Sequence, residues 1–161
     1  MTGPTFDDPT YLEQVYAALF ALLQGATFAA GVTLKTSMRA FMVPDQVAPE
    51  DMPALVLVEG PLHAEQKEIF GPAKWTFTAM AALYVRAEGT VAPRQKPLSV
   101  TTANLLIWGI QKAFETKPPY QKQTLGGLVA HAWIEGAVVP DVTSEQVLIT
   151  VPIYMLAGPV S

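Results

Sequence analysis

From Trp75 to Arg86 the chain alternates without a break. Trp75, Phe77, Ala79, Ala81, Leu83 and Val85 fall on one side, and Thr76, Thr78, Met80, Ala82, Tyr84 and Arg86 on the other. Successive side chains of a strand point to opposite faces, so this period of two predicts a strand with two unlike faces. The apolar side has to be covered by other parts of the chain. The mixed side does not.

Two segments carry the helical period that suits such a cover. Tyr11, Leu12, Val15, Tyr16, Leu19, Leu22 and Leu23 recur at helical spacing. Asp8 is the expected N-cap, Pro9 the first helical residue and Gly25 the stop. Leu98, Leu105, Leu106, Ile110, Ala113 and Phe114 mark a second helix over 98–116, ended by Pro118-Pro119. The stretch 15–34 carries no formal charge and raises the question of a membrane span. Gln24-Gly25-Ala26-Thr27 interrupts it, and the acidic Asp7, Asp8 and Glu13 precede it, where a signal peptide is basic. Helix, turn and strand is the better reading.

The remaining strands follow from short apolar runs. They are expected at 32–39, at Ala54-Leu-Val-Leu-Val58, which suits a strand buried on both faces, and near 128–135 and 147–156. Gly60-Pro61 signals a turn or bulge, 62–69 reads as an exposed strand or hairpin arm, and Pro140-Asp141 as a turn. Residues 1–7 read as a loose arm and 87–97 as a loop. Pro152 cannot donate a ladder hydrogen bond, so the last strand is expected at a sheet edge or with a bulge. The order of elements predicts a single α+β domain: a largely antiparallel or mixed sheet with two helices packed on one face.

Composition limits function. Half of the 161 residues are hydrophobic and only 15% are charged, against roughly 25% in typical soluble domains. Apolar surface left over after folding points to a protein partner or self-association. A net charge of -4 with ten scattered basic residues argues against a dedicated nucleic-acid binder, which needs clustered Lys and Arg. Without cysteine there is no disulfide, thiolate nucleophile or thiolate metal site.

No side-chain set in the sequence makes a convincing active site. His131 lies in an Ala-His-Ala-Trp strand, where alternation puts Val129, Trp133 and Glu135 on its face; a half-buried strand histidine is expected. His63 and Glu65 share a strand face, but two ligands fall short of a zinc site. Asp7-Asp8 and Glu50-Asp51 sit beside prolines and fit cap and loop roles. Gly126-Gly127 lacks the Lys-Ser/Thr of a phosphate loop and precedes a strand. Those glycines serve either a tight approach or a positive backbone dihedral. Trp75, Trp108 and Trp133 stand among aliphatic neighbours and fit core or interface packing. No metal, cofactor or catalytic residue is expected.

The order of these features resembles the tail terminator, or tail completion, proteins of long-tailed bacteriophages. An amphipathic N-terminal helix leads to a strand ending in Arg39, then to the proline-rich Val43-Pro44 through Pro49-Glu50-Asp51-Met52-Pro53-Ala54-Leu55. A Trp75-Thr-Phe-Thr strand, a proline-containing loop and a second helix follow. Thr124-Leu-Gly-Gly-Leu-Val, Ile134-Glu-Gly136 and a final Val-Pro-Ile-Tyr-Met-Leu strand complete the likeness, which spans 11–156. The resemblance implies a non-enzymatic virion protein, a homohexameric ring capping the tail tube. Its implied partners are copies of itself, the tail tube protein and a neck or head-completion protein, with DNA only as cargo in the lumen and no membrane. A head-side neck protein, a small α+β ligand-binding or enzymatic domain and a cellular oligomeric scaffold are the competing readings.

Two excursions, 59–70 and 87–97, are expected to contact neighbouring subunits or rings. The candidate interface residues are His63, Glu65, Lys67, Arg86, Arg94, Lys96 and Pro152.

Overall fold

A computed structural model describes residues 8–29, 32–40, 47–66, 69, 73–86, 98–116, 121–136, 138–142 and 146–158. The predicted arm at 1–7, the loop at 87–97 and Pro118-Pro119 lie outside these. Helix α1 spans Tyr11–Gln24 and α2 spans Leu98–Phe114. Six strands form one sheet: β1 Thr36–Ala40, β2 Ala54–Glu65, β3 Lys74–Arg86, β4 Val129–Ile134, β5 Val139–Val142 and β6 Gln146–Ala157. Their order is β1-β2-β3-β6-β4, with β5 also on β6. The β1–β2 pair is parallel and the others are antiparallel. The fold is therefore α+β with a mixed sheet, as the pattern predicts.

Helix α1 buries Tyr11, Val15, Tyr16, Leu19 and Leu23, a stripe at helical spacing. Both helices bury their apolar stripes in one cluster, against Leu55 and Leu57 of β2, the odd-numbered apolar side of β3, and Val147 to Met155 of β6. Among the described residues the opposite face has a cover of its own only at one end. There Met52, Ala54, Val56, Ala82 and Tyr84 form a second buried cluster, with Val47 and Met38 against it. Both faces of Ala54-Leu-Val-Leu57 are thus shut off, each residue being 0% exposed. That explains why this run reads as continuous rather than alternating.

Local starts and turns depart from the pattern in small ways. Regular helix begins at Tyr11, two residues after the predicted start. Asp8 still does a cap's work: its carboxylate accepts from the Thr10 amide at 2.9 Å and hydroxyl at 2.7 Å. Those bonds hold its pKa below the usual carboxylate value. Strand β1 begins at Thr36 rather than at 32, because its ladder to β2 begins at the Thr36–Ala54 pair. At Gly126 and Gly127 a side chain would meet nothing within 4 Å, while φ is +73° and +92°. The glycines are there for the left-handed turn and not for close approach.

Two expectations at the C-terminal end are corrected. Pro140-Asp141 is not a turn but part of β5, with Pro140 opposite Ile149. Pro152 does not lie on an edge strand: β6 is interior, between β3 and the β4/β5 pair. The Pro152 carbonyl accepts from the Glu135 amide at 3.3 Å. In a strand, a residue's N–H and C=O point to the same side, so the donor that Pro152 lacks faces the break between Ile134 and Val139. The irregularity predicted for β6 sits in its neighbours instead. A bulge between Val129 and His131 also separates these two residues, turning Val129 to the helix side and His131 away from it.

Candidate functional site

The most unusual construction surrounds the bulge past which β2 becomes exposed, while β3 opposite Leu62 and His63 is still paired to β6 through Phe77–Met155 and Thr76–Leu156. Among the described residues β1 pairs with β2 as far as Ala40–Val58, and the β2–β3 register shifts between Glu59 and Leu62. The predicted Gly60-Pro61 signal is this bulge. A side chain at position 60 would run into the Thr78 hydroxyl, and that hydroxyl donates to the Pro61 carbonyl at 2.7 Å. From below, the Tyr16 hydroxyl donates to the Thr78 carbonyl at 2.9 Å. Burial, and then the Glu59 charge, push the Tyr16 pKa up to about 12, so this donor keeps its proton at physiological pH.

Arg39 adds the charged tie. Its guanidinium grips the Glu13 carboxylate of α1 through both oxygens, at 2.5 and 3.1 Å, and also donates to Glu59 of β2. The Glu13 carboxyl is held below its ordinary pKa by the Arg39 hydrogen bond, and its presence keeps Arg39 firmly protonated. The three side chains and Ala40 line a cavity of about 310 Å³. Both carboxylates there are engaged by one guanidinium, so the cavity is a charge clamp and not an acid–base pair. Arg39 ends the strand noted in the sequence, but nothing in the order of residues marks Glu13 and Glu59 as its partners.

Beyond the bulge the outer half of β2 is exposed. Leu62 is 40% and Ile69 87% accessible, and Leu62 through Gln66 all face solvent. His63 and Glu65 share one face of it, opposite Thr76 and Lys74. Arg86, by contrast, sits at the other end of β3 opposite Gln146, about 33–40 Å away at ~3.3 Å per residue. Pro152 lies midway, opposite Met80. Lys67, Arg94 and Lys96 lie outside the described residues. The structure therefore unites His63 and Glu65 and separates them from Arg86 and Pro152; these residues do not make one site.

A second feature lies along the β4 edge. The segment after α2 bridges β4 at Gln123–Ala132, and an open depression of about 480 Å³ runs there between α2 and β4. Its walls include Trp108, Gln111, Lys112, Gln121, Gln123 and Trp133. Trp108 is 45% exposed, with the Lys112 ammonium 5.9 Å from its ring centre and 2.9 Å from Glu115. This amphipathic wall follows from helical spacing, since residues 108 and 112 are one turn apart.

His131 is half-buried, as expected, with its ring stacked on Trp133 at 4.9 Å and Trp133 in turn 6.0 Å from Tyr154. The Trp133 indole N–H donates to Glu135 at 3.0 Å. Burial, and then Lys122, push the His131 pKa down, and its Nδ1 has no hydrogen bond among the described residues. The rings stack on one another, and His131 and Trp133 also line the depression beside α2.

Among the described residues no three His, Asp or Glu groups gather as metal ligands, and no helix is long and apolar enough to cross a membrane. No family model matches this chain, and no curated protein matches it.

Proposed function

We propose that this chain is a structural virion subunit whose copies form a ring. The ring caps a phage tail tube, stops its polymerisation and joins the tail to the neck. It works at the tail–neck junction after assembly in the host cytoplasm, with the tail tube protein on one side, a neck protein on the other and DNA as passing cargo. No catalysis is involved in this reading.

The observation that carries it is the outer half of β2. Leu62 on the outer half of β2 and Ile69 beyond it are left in solvent, and the root of that strand is tied to the core by Tyr16, Thr78 and Arg39. Apolar side chains held out on a fixed element are what an assembly contact requires. The motif order behind the resemblance also falls on consecutive elements of a mixed sheet with both helices on one face.

Native mass measurement with electron microscopy of the purified chain tests the reading. The expected result is one species of hexameric mass, seen as rings with an open centre. A monomer at high concentration contradicts it.

A further inference from the structure

We infer that His131 is an acid-sensitive latch on the β4 edge: uncharged, it packs β4 onto β6, and charging it loosens that edge. The latch goes beyond the ring reading and does not depend on it.

The β4 bulge builds the latch. Val129 pairs with Ala157 and His131 with Leu156, which turns His131 to the side away from the helices. There its ring lies 4.9 Å from that of Trp133, with 15° between the planes, and Trp133 lies 6.0 Å from Tyr154 of β6. The stack therefore ties β4 to β6. The strand has few other anchors, since only Val129 and Ala132 of its six residues are buried. It also holds the segment after α2, because the Ala132 amide donates to the Gln123 carbonyl at 2.8 Å. A short edge strand with so little buried is the kind of element that opens ahead of the core.

Charge is what this stack does not accommodate. An uncharged imidazole has one N–H and one bare nitrogen, whereas the charged ring carries a proton on both. The His131 Nδ1 is buried, and no hydrogen-bond partner reaches it among the described residues. A charged N–H in that place is a buried donor without an acceptor, which costs far more than a bare nitrogen.

The neighbouring charges do not supply what is missing. Lys122, in the segment after α2, repels a charge on the ring. Helix α2 brings Lys112 and Glu115 to the same depression, but they are paired with each other at 2.9 Å. Glu135, on β4 itself, accepts from the Trp133 indole at 3.0 Å. Strand β6 presents Leu156 and Tyr154, and beyond them the row runs through Thr76 to His63, about 14 Å away at ~4.8 Å per strand.

Burial, and then Lys122, accordingly hold the His131 pKa below the ordinary 6.5. An opened β4 takes up the proton at the ordinary value, while the closed strand resists it. The latch is therefore at full strength above pH 6.5 and weakens as pH falls below it. One unit lower, at about pH 5.5, opening is favoured by at most about tenfold. Asp8 and Glu13, with carboxyls held below 3.8 and 4.5, do not titrate in that window.

The test is hydrogen exchange of residues 129–134 in the full chain at about pH 7.5 and 5.5, corrected for intrinsic rates, beside an NMR titration of the ring in histidine-labelled protein. Protection is expected to fall by up to about tenfold at the lower pH, with a His131 midpoint below 6.5. His131→Phe keeps a ring to stack on Trp133 without the titrating nitrogen and should remove the fall; His131→Gln takes its place if that variant does not fold. His63→Gln leaves the latch intact and should retain the fall. A His131 midpoint at or above 6.5, or a fall that is absent from the parent or survives without His131, overturns the latch.

Discussion

The two halves of β2 are one strand put to two uses. From Ala54 to Leu57 every residue is 0% exposed, with a core on each face. From Leu62 to Glu65 the same strand is in solvent, with only β3 paired to it among the described residues. The Gly60-Pro61 bulge divides them. The inner half is what the sheet needs to fold, since burying one large aliphatic side chain is worth roughly 1.5–3 kcal/mol. The outer half contributes little to that and is still held at a fixed angle. A strand continued past its core, with a braced root, is what the proposed assembly contact would use.

The largest contrast to break is that between Leu57 and Leu62. Leu57→Ala leaves a cavity in the main core and is expected to cost about 2–5 kcal/mol, lowering Tm by roughly 2–4 °C for each. Leu62→Ala should stay within about 0.5 kcal/mol in the unassembled chain. Equal losses in thermal melts would erase the distinction between the halves.

Next in size is the bulge itself. Gly60→Val sets a branched side chain against Thr78 and should destabilise by about 1–3 kcal/mol, read from denaturant midpoints. A neutral result would mean that the angle of the outer half is not fixed there. Tyr16→Phe removes only the hydroxyl that reaches the Thr78 carbonyl and is expected to cost about 0.5–1.5 kcal/mol.

The smallest effect is electrostatic. Glu13 has its folded pKa depressed below the ordinary 4.5 by Arg39, so its contribution is present above that pH and lost as pH falls through the folded value. Asp8 titrates in the same acid range with the same sign. Glu13→Gln should therefore flatten, without abolishing, the fall in Tm between about pH 5 and 3. Because Glu13 is exposed, the change is small. An unaltered profile would show that the Arg39 clamp adds nothing at the root.

What the sequence revealed follows from which forces are local. The alternation of Trp75 to Arg86, the stripe from Tyr11 to Leu23 and the apolar run from Ala54 to Val58 are burial patterns; the stripe appears as read, the run is doubly buried as far as Leu57, and Ala82 and Tyr84 are buried on the mixed side of β3 as well. The Gly60-Pro61 signal also marks a real bulge. Pro152 misled because its missing donor was assigned to an edge, while the strand beside it breaks instead. Pro140 misled because β5 is short and its proline reads as a turn. His131 and Val129 were separated by a bulge that alternation cannot see. The Arg39 clamp joins residues 13, 39 and 59, and only the packing of α1 against β1 and β2 brings them together. The Lys112–Trp108 contact follows from helical spacing once α2 is formed, and its place beside β4 from packing; neither was read from the sequence.

The account rests on the claim that the outer half of β2 serves assembly. Its most direct test is the native mass of the full chain carrying Leu62→Asp and Ile69→Asp, set beside that of the parent. The prediction is a folded monomer of 17.3 kDa with an unchanged circular dichroism spectrum, where the parent forms a ring. A variant that assembles to the parent's mass would contradict it.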